Sequence, residues 1–112
     1  MPFNIDHGKT LKRAVVTLSA DGDVVAAVAL KRIKVYLFET FNDHTTGQFR
    51  LQDGNGGTDL TFDYDADQIV HVVVGPVMPP AFLFQTSVGN SLFCQNTGGG
   101  DQRIAVSYWE DD

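Results

Sequence analysis

The chain has one cysteine, Cys94, among its 112 residues. No disulfide can form within it, and its stability has to come from packing. Basic residues are scarce as well: eight Lys and Arg stand against fourteen Asp and Glu, a net charge of −6. An average surface of that sign repels phosphate backbones and anionic lipid, which argues against nucleic acid and membrane as partners. Long apolar runs are missing; stretches such as Val72-Val73-Val74 fall far short of the ~20 residues that cross a bilayer. The start, Met1-Pro2-Phe3-Asn4, lacks the basic and apolar regions of a secretory signal, so synthesis in a cytoplasm is expected.

What is present is globular composition, 43% hydrophobic and 20% charged. A chain of this length suits one domain that buries about two-thirds of its unfolded surface. Short β-branched and aromatic runs alternate with Gly, Pro, Asn and Asp clusters about every ten residues, the rhythm of sandwiches and barrels. Ala14 to Leu18 reads as a strand closed by Asp21-Gly22-Asp23. Val24 to Ala29 is Ala-rich, yet six residues between turn signals are short for a helix, so a strand is expected. In Ile33 to Thr40, strict alternation puts Ile33, Val35 and Leu37 on a core face and Lys34, Tyr36 and Phe38 on the other, where two aromatics await a neighbour.

Gln48 to Gln52 alternates like a half-exposed strand and runs into the Gly-rich loop Asp53-Gly54-Asn55-Gly56-Gly57. Ile69 to Val74 reads as a central strand. Pro79-Pro80 belongs to an edge or loop, followed by Phe82-Leu83-Phe84. Ser91 to Cys94 and Arg103 to Trp109, joined through Asn96 to Gly100, read as a closing hairpin. The expectation is all-β: a single antiparallel β-sandwich of about seven or eight strands over residues 14–110, after an N-terminal arm, 1–13.

The candidates for chemistry are few. His7-Gly8-Lys9-Thr10 has the Gly-Lys-Thr of a phosphate loop, but Phe3 stands where its first glycine is needed. Gly54 to Gly57 and Gly98 to Gly100 lack a dinucleotide fingerprint and read as hairpin loops. Asp63, Asp65 and Asp67 begin like a calcium loop, but Gln68 replaces its turn glycine and Val74 its bidentate glutamate, leaving a solvated acidic loop with room for a weak surface cation. His7, His44 and His71 have no zinc spacing. Cys94, after Leu92-Phe93, reads as a small buried hydrophobe. Tyr108-Trp109 offers either a stacking platform for a sugar ring or core and interface packing. No catalytic residue, cofactor or metal site is expected, and the chain reads as a non-enzyme.

Val24 through Val35 (VVAAVALKRIKV), then Gly89-Asn90-Ser91-Leu92-Phe93, then Ile104 through Glu110 (IAVSYWE) resemble a group of small tailed-phage virion proteins over roughly residues 14 to 110. That group has a "Gly-Lys-Arg-Ile-x-Val" strand start, a "Gly-x-x-Leu" strand and a closing "Val-x-x-Tyr-x-Glu" strand. Leu30 stands where the group usually has glycine, which points to a different loop before Lys31. The resemblance implies a jelly-roll-like sandwich on the capsid exterior, a decoration or cement protein whose partners are the major capsid protein and further copies of itself. A homotrimer is expected, with a homodimer the alternative. Lys9, Lys12 and Arg13 would line a capsid-contacting arm, and Tyr36, Phe38, Tyr108 and Trp109 a subunit interface. The other reading is a head-fibre or tail-associated carbohydrate-binding adhesin using Tyr108, Trp109 and the acidic loop.

Overall fold

The computed structural model describes residues 10–42, 47–65, 70–74, 82–97 and 101–111, with side chains left aside at 41, 42, 65 and 70–74. Nine strands are present among them: β1 (Lys12–Leu18), β2 (Gly22–Val25), β3 (Arg32–Asn42), β4 (Gln48–Asp53), β5 (Tyr64–Asp65), β6 (Val70–Val74), β7 (Phe84–Gln85), β8 (Leu92–Asn96) and β9 (Gln102–Asp111). They form two antiparallel sheets. One has the order β1-β9-β3-β6 with β7 added to β3; the other has β2-β8-β4-β5. The all-β sandwich expected from the turn spacing is therefore the fold, with β5 and β7 only two residues each.

The pairings nest. β1 lies against β9, β2 against β8, β3 against β6 and β4 against β5. One long hairpin, rolled so that its successive segments fall alternately in the two sheets, gives this arrangement, and it is the order of a jelly roll. Rolling brings β9 beside β3 and β8 beside β4, which completes each sheet. β8 and β9 consequently lie in different sheets and do not form the closing hairpin expected from their adjacency. β6 ends its sheet's order instead of lying centrally, because β9 and β3 take the inner places.

The interior lies between the sheets. Ile33, Val35, Phe38, Ile104 and Val106 from one meet Phe49, Leu51, Leu92 and Cys94 from the other, all buried. Each large apolar side chain removed from water in this way contributes about 1.5–3 kcal/mol. Phe38 is edge-on to Phe84 at 5.8 Å, and Phe49 packs on Tyr64 at 5.4 Å between ring centroids.

A bulge in β3 alters the expected facing. Val35 pairs with Tyr108 and Leu37 with Ser107, so Tyr36 is an extra residue. A bulge resets the two-residue alternation, and Phe38, rather than Leu37, joins Ile33 and Val35 inside. The face expected to hold Tyr36 together with Phe38 is thereby split. A second irregularity between Asp23 and Val25 in β2 leaves Val24 and Val25 both buried. β2 stops there, so the strand expected to reach Ala29 gives way to a loop.

Other turns follow their residue chemistry. In the hairpin from β4 to β5, Asp53 N–H donates to Thr58 O (2.9 Å) and Leu60 N–H to Leu51 O (2.8 Å). A Cβ at Gly57 would stand 1.8 Å from the carbonyl oxygen of Asp53, so only glycine fits. At the turn from β1 to β2, Asp21 Oδ1 accepts from Asn96 N–H (2.7 Å), while Asn96 Nδ2 donates to Leu18 O (3.2 Å). These bonds tie the turn to the far end of β8.

Candidate docking surfaces

The β1-β9-β3 sheet, with Arg13, Lys34 and Trp109 on its outer face and Lys12, Phe38 and Tyr108 on its inner side, carries most of the residues that the sequence suggested for contact. β1 begins at Lys12, so Lys12 and Arg13 belong to the sandwich and not to an arm; Lys9 lies outside the described residues. Lys12 pairs across the strands with Tyr108, and Lys34 with Trp109. Lys12 donates to Glu110, and that hydrogen bond raises its ammonium pKa. Arg13 pairs with Glu39 and reaches Ser107 Oγ at 3.5 Å. Lys34 Nζ lies 3.2 Å from Asp111 Oδ2. Two of the three basic groups expected to meet a capsid are thus engaged with the chain's own carboxylates, because the antiparallel register brings β1 beside β3's neighbour β9 with its acidic end. Exposed pairs of this kind contribute little to stability, but they leave the face mixed in charge. Beside them Val15 is exposed, over a groove of ≈ 350 Å³ shared with Ile104 and Ala105.

The aromatic residues divide differently from expectation. Phe38 and Trp109 are each 1% exposed, so neither is a surface residue of the single chain. Trp109 sits outside the main core, under Tyr36 (6.2 Å between centroids) and edge-on to Phe82 (6.4 Å), with Lys34 Nζ 5.1 Å from the centre of the Phe82 ring. An indole covered in this way has no face left to stack on a sugar. Tyr108 is half-buried against the core; burial raises its phenol pKa, Glu110 adding and Lys12 opposing. Only Tyr36 and Tyr108 of the four expected interface residues retain partial exposure.

A second surface is the end of the sandwich where β2 leads to β3 and β7 to β8. Asp53, at the close of β4, accepts from Ser87 N–H (2.7 Å), Ser87 Oγ (2.6 Å) and Asn90 Nδ2 (3.1 Å). Burial pushes this carboxyl up, but the bonds from Ser87 and Asn90, helped by Arg32, outweigh it and hold the pKa below its ordinary value. Gly89 N–H donates to Lys31 O (2.8 Å), joining the two loops. Leu30 has φ 66°, the left-handed conformation in which glycine is at ease, and is 77% exposed. The loop before Lys31 therefore keeps a glycine-like bend at the position where the sequence carries leucine.

The third is a groove of ≈ 680 Å³ whose walls include Leu60, Leu83 and Phe84, with Asp59 and Asp63 at its rim. Phe62 beside it is 87% exposed. Arg50 holds both carboxylates, Asp59 at 3.1 Å and Asp63 at 3.2 Å. Asp63 is thus committed to an ion pair, while Asp67 and the side chain of Asp65 lie outside the described residues. His7, His44 and the side chain of His71 do so as well. Cys94 is fully buried; burial, with Asp21 adding, pushes its thiol up to about 12. Among the described residues no cluster of three His, Cys, Asp or Glu is placed to hold a metal ion, and no helix is long and apolar enough to cross a membrane.

Asp53 is the residue that the sequence reading missed. Asp53-Gly54 signals a turn, but nothing marks Ser87 and Asn90, more than thirty positions on, as its partners. Set beside known proteins, the chain matches no family model, no curated protein and no solved structure.

Proposed function

We propose that the chain is a structural protein of a tailed-phage virion, a capsid decoration protein that binds the outside of the icosahedral head as a homo-oligomer. The observation that carries this reading is the conjunction of the strand-start motifs at Lys31 to Val35, Gly89 to Phe93 and Ile104 to Glu110 with a jelly-roll strand order. Jelly rolls serve in viral capsids, where broad sheet faces and loops make the contacts. The outer sheet face, mixed in charge and with Val15 exposed on it, supports self-association. A homotrimer is the proposed assembly, with a homodimer the alternative; native mass spectrometry reads the stoichiometry directly. The test of function is a copy count per particle by mass spectrometry and cryo-electron microscopy. Hundreds of copies on the head lattice establish the role, and absence from the particle rejects it.

A carbohydrate-binding adhesin is the second reading. It is favoured by one feature, the exposed Phe62 ring beside Asp59 and Asp63, a combination that suits a pyranose face and its hydroxyls. Binding to a glycan array that disappears in Phe62→Ala is the result expected of that reading.

A further inference from the structure

The hairpin from β4 to β5 turns through Gly54-Asn55-Gly56-Gly57, and both Asn55 and Gly56 are exposed. Gly57 N–H donates to Gly54 O (3.1 Å) and Asp53 N–H to Thr58 O (2.9 Å), which closes the turn around them. Neither the Asn55 carboxamide nor Gly56 N–H forms a hydrogen bond with any described residue. A Cβ placed on Gly56 would meet nothing within 4 Å, so the space around this peptide unit is open. The other asparagines with described side chains differ on each count. Asn90 Nδ2 donates to Asp53 Oδ1 (3.1 Å) and Asn96 Nδ2 to Leu18 O (3.2 Å). Each is followed by a residue whose side chain shields the next backbone nitrogen, Ser91 or Thr97. Asn55 alone among them combines a free carboxamide with a free, unshielded nitrogen, because glycine follows it.

We propose that Asn55-Gly56 is a self-modification site, where the chain converts its own asparagine to isoaspartate and so loosens the hydrogen bonds that Asp53 accepts. Gly56 N, on losing its proton to solvent base, attacks Asn55 Cγ. The new N–C bond closes a succinimide ring, and the bond from Cγ to the side-chain nitrogen breaks, releasing ammonia. Water then adds to either ring carbonyl. Breaking the bond from the ring nitrogen to Cγ gives aspartate. Breaking its bond to the backbone carbonyl carbon leaves the main chain running through Cγ, which is isoaspartate. The net exchange is ammonia for water, with no other reactant. Both products add a carboxylate to a chain already at net charge −6. Isoaspartate also adds a carbon to the main chain, in a turn so tight that a Cβ on Gly57 would stand 1.8 Å from Asp53 O. The neighbouring bonds are those of the sandwich end: Gly54 N–H donates to Ser91 O (2.9 Å), and the Asp53 carboxylate accepts from Ser87 and Asn90. A lengthened main chain at residue 55 moves Asp53 against these donors, which hold their places in the facing loop.

The experiment ages the full chain in neutral and mildly alkaline buffer and follows it by peptide mapping with fragmentation that separates isoaspartate from aspartate. Folded wild type, wild type unfolded in urea and folded Asn55→Ser are compared. The expected result is conversion at Asn55 in the folded chain, faster as pH rises. It should run about ten-fold or more faster than at Asn90 or Asn96, each of which must first give up a hydrogen bond. Conversion in urea with Asn55 unchanged in the folded protein overturns the inference, because the turn then protects the residue. Loss of ammonia from Asn55→Ser at the wild-type pace overturns it too, by placing the reaction elsewhere. The separated isoaspartate form is then melted beside fresh wild type and fresh Asn55→Asp, which adds the charge alone. A midpoint lower by about 4 °C or more is expected in the isoaspartate form only, and no further fall in an Asp53→Ala background. Equal melting of the three, an equal fall in Asn55→Asp, or an undiminished fall without Asp53 overturns the link from the lengthened main chain to Asp53. None of these outcomes depends on whether the chain decorates a capsid.

Discussion

The interior of the sandwich and its β2–β3 end use apolar residues in opposite ways. Between the sheets Phe38, Phe49, Leu51 and Leu92 are almost wholly removed from water and are held by one another. At the end, Val28, Leu30 and Val88 face water. Their loops are held by polar bonds, chiefly those that Asp53 accepts from Ser87 and Asn90. Burial fixes the first region by its own free energy. The second needs fixing from outside, and its shape therefore depends on a few hydrogen bonds that can be removed singly. The difference separates what folds the chain from what it displays.

The largest effect should come from cutting into the interior. Phe38→Ala removes a ring packed edge-on to Phe84 and leaves a cavity in a small core, so a loss of about 3–5 kcal/mol is expected in chemical denaturation. Cys94 offers an internal reporter of the same region. With its thiol pushed up to about 12 by burial, it should resist thiol reagents in the native state and react only as the sandwich opens. Rapid labelling of the folded wild type at neutral pH would contradict the packing between the sheets.

Next is the staple. Asp53→Ala removes three bonds to one carboxylate, and a loss of about 2 kcal/mol is expected. The wild type should also show the matching pH dependence. The folded pKa of Asp53 lies below its ordinary value, so its stabilisation is complete above the unfolded pKa of about 3.9 and is lost as pH falls through the folded value. The stability gap between wild type and Asp53→Ala should therefore be widest near neutrality and close in acid. A gap that is constant with pH would remove the carboxylate from its role as anchor.

Much of the interior was legible in the sequence because alternation reports it directly. β4 and β9 fall within a residue or two of where their patterns place them, since each is bounded by Gly-rich turns. β3 was legible in extent but not in facing, because a bulge at Tyr36 leaves no mark in a run of β-branched and aromatic residues, any of which suits either face. The nesting of β1 with β9 and of β2 with β8 was out of reach, as pairings across 67 residues (Val25 with Leu92) or more have no local signal. The end was misread for a related reason. Ala26 to Leu30 has the composition of a buried strand, and only the structure shows that β2 stops at Val25. Trp109 was ambiguous because an indole at a strand end is apolar enough for burial and large enough for contact. It is the cover from Tyr36 and Phe82, set by register, that decides.

The smallest expected effect is also the one that divides the two regions most sharply. Leu30→Gly relieves a left-handed backbone that costs an L-residue about 1–2 kcal/mol, while the added freedom of glycine in the unfolded chain takes back about 0.5–1 kcal/mol. Because Leu30 is 77% exposed, little burial is lost with its side chain. A net gain of roughly 0.5 kcal/mol follows from that difference, read as a small rise in the denaturation midpoint at unchanged slope. In the interior, deleting a leucine can only weaken the fold, and the tip is expected to do the reverse. Destabilisation of the protein by Leu30→Gly would instead place Leu30 among the residues that hold the sandwich together, and the contrast between a self-supporting interior and a displayed, polar-stapled end would fail at its sharpest point.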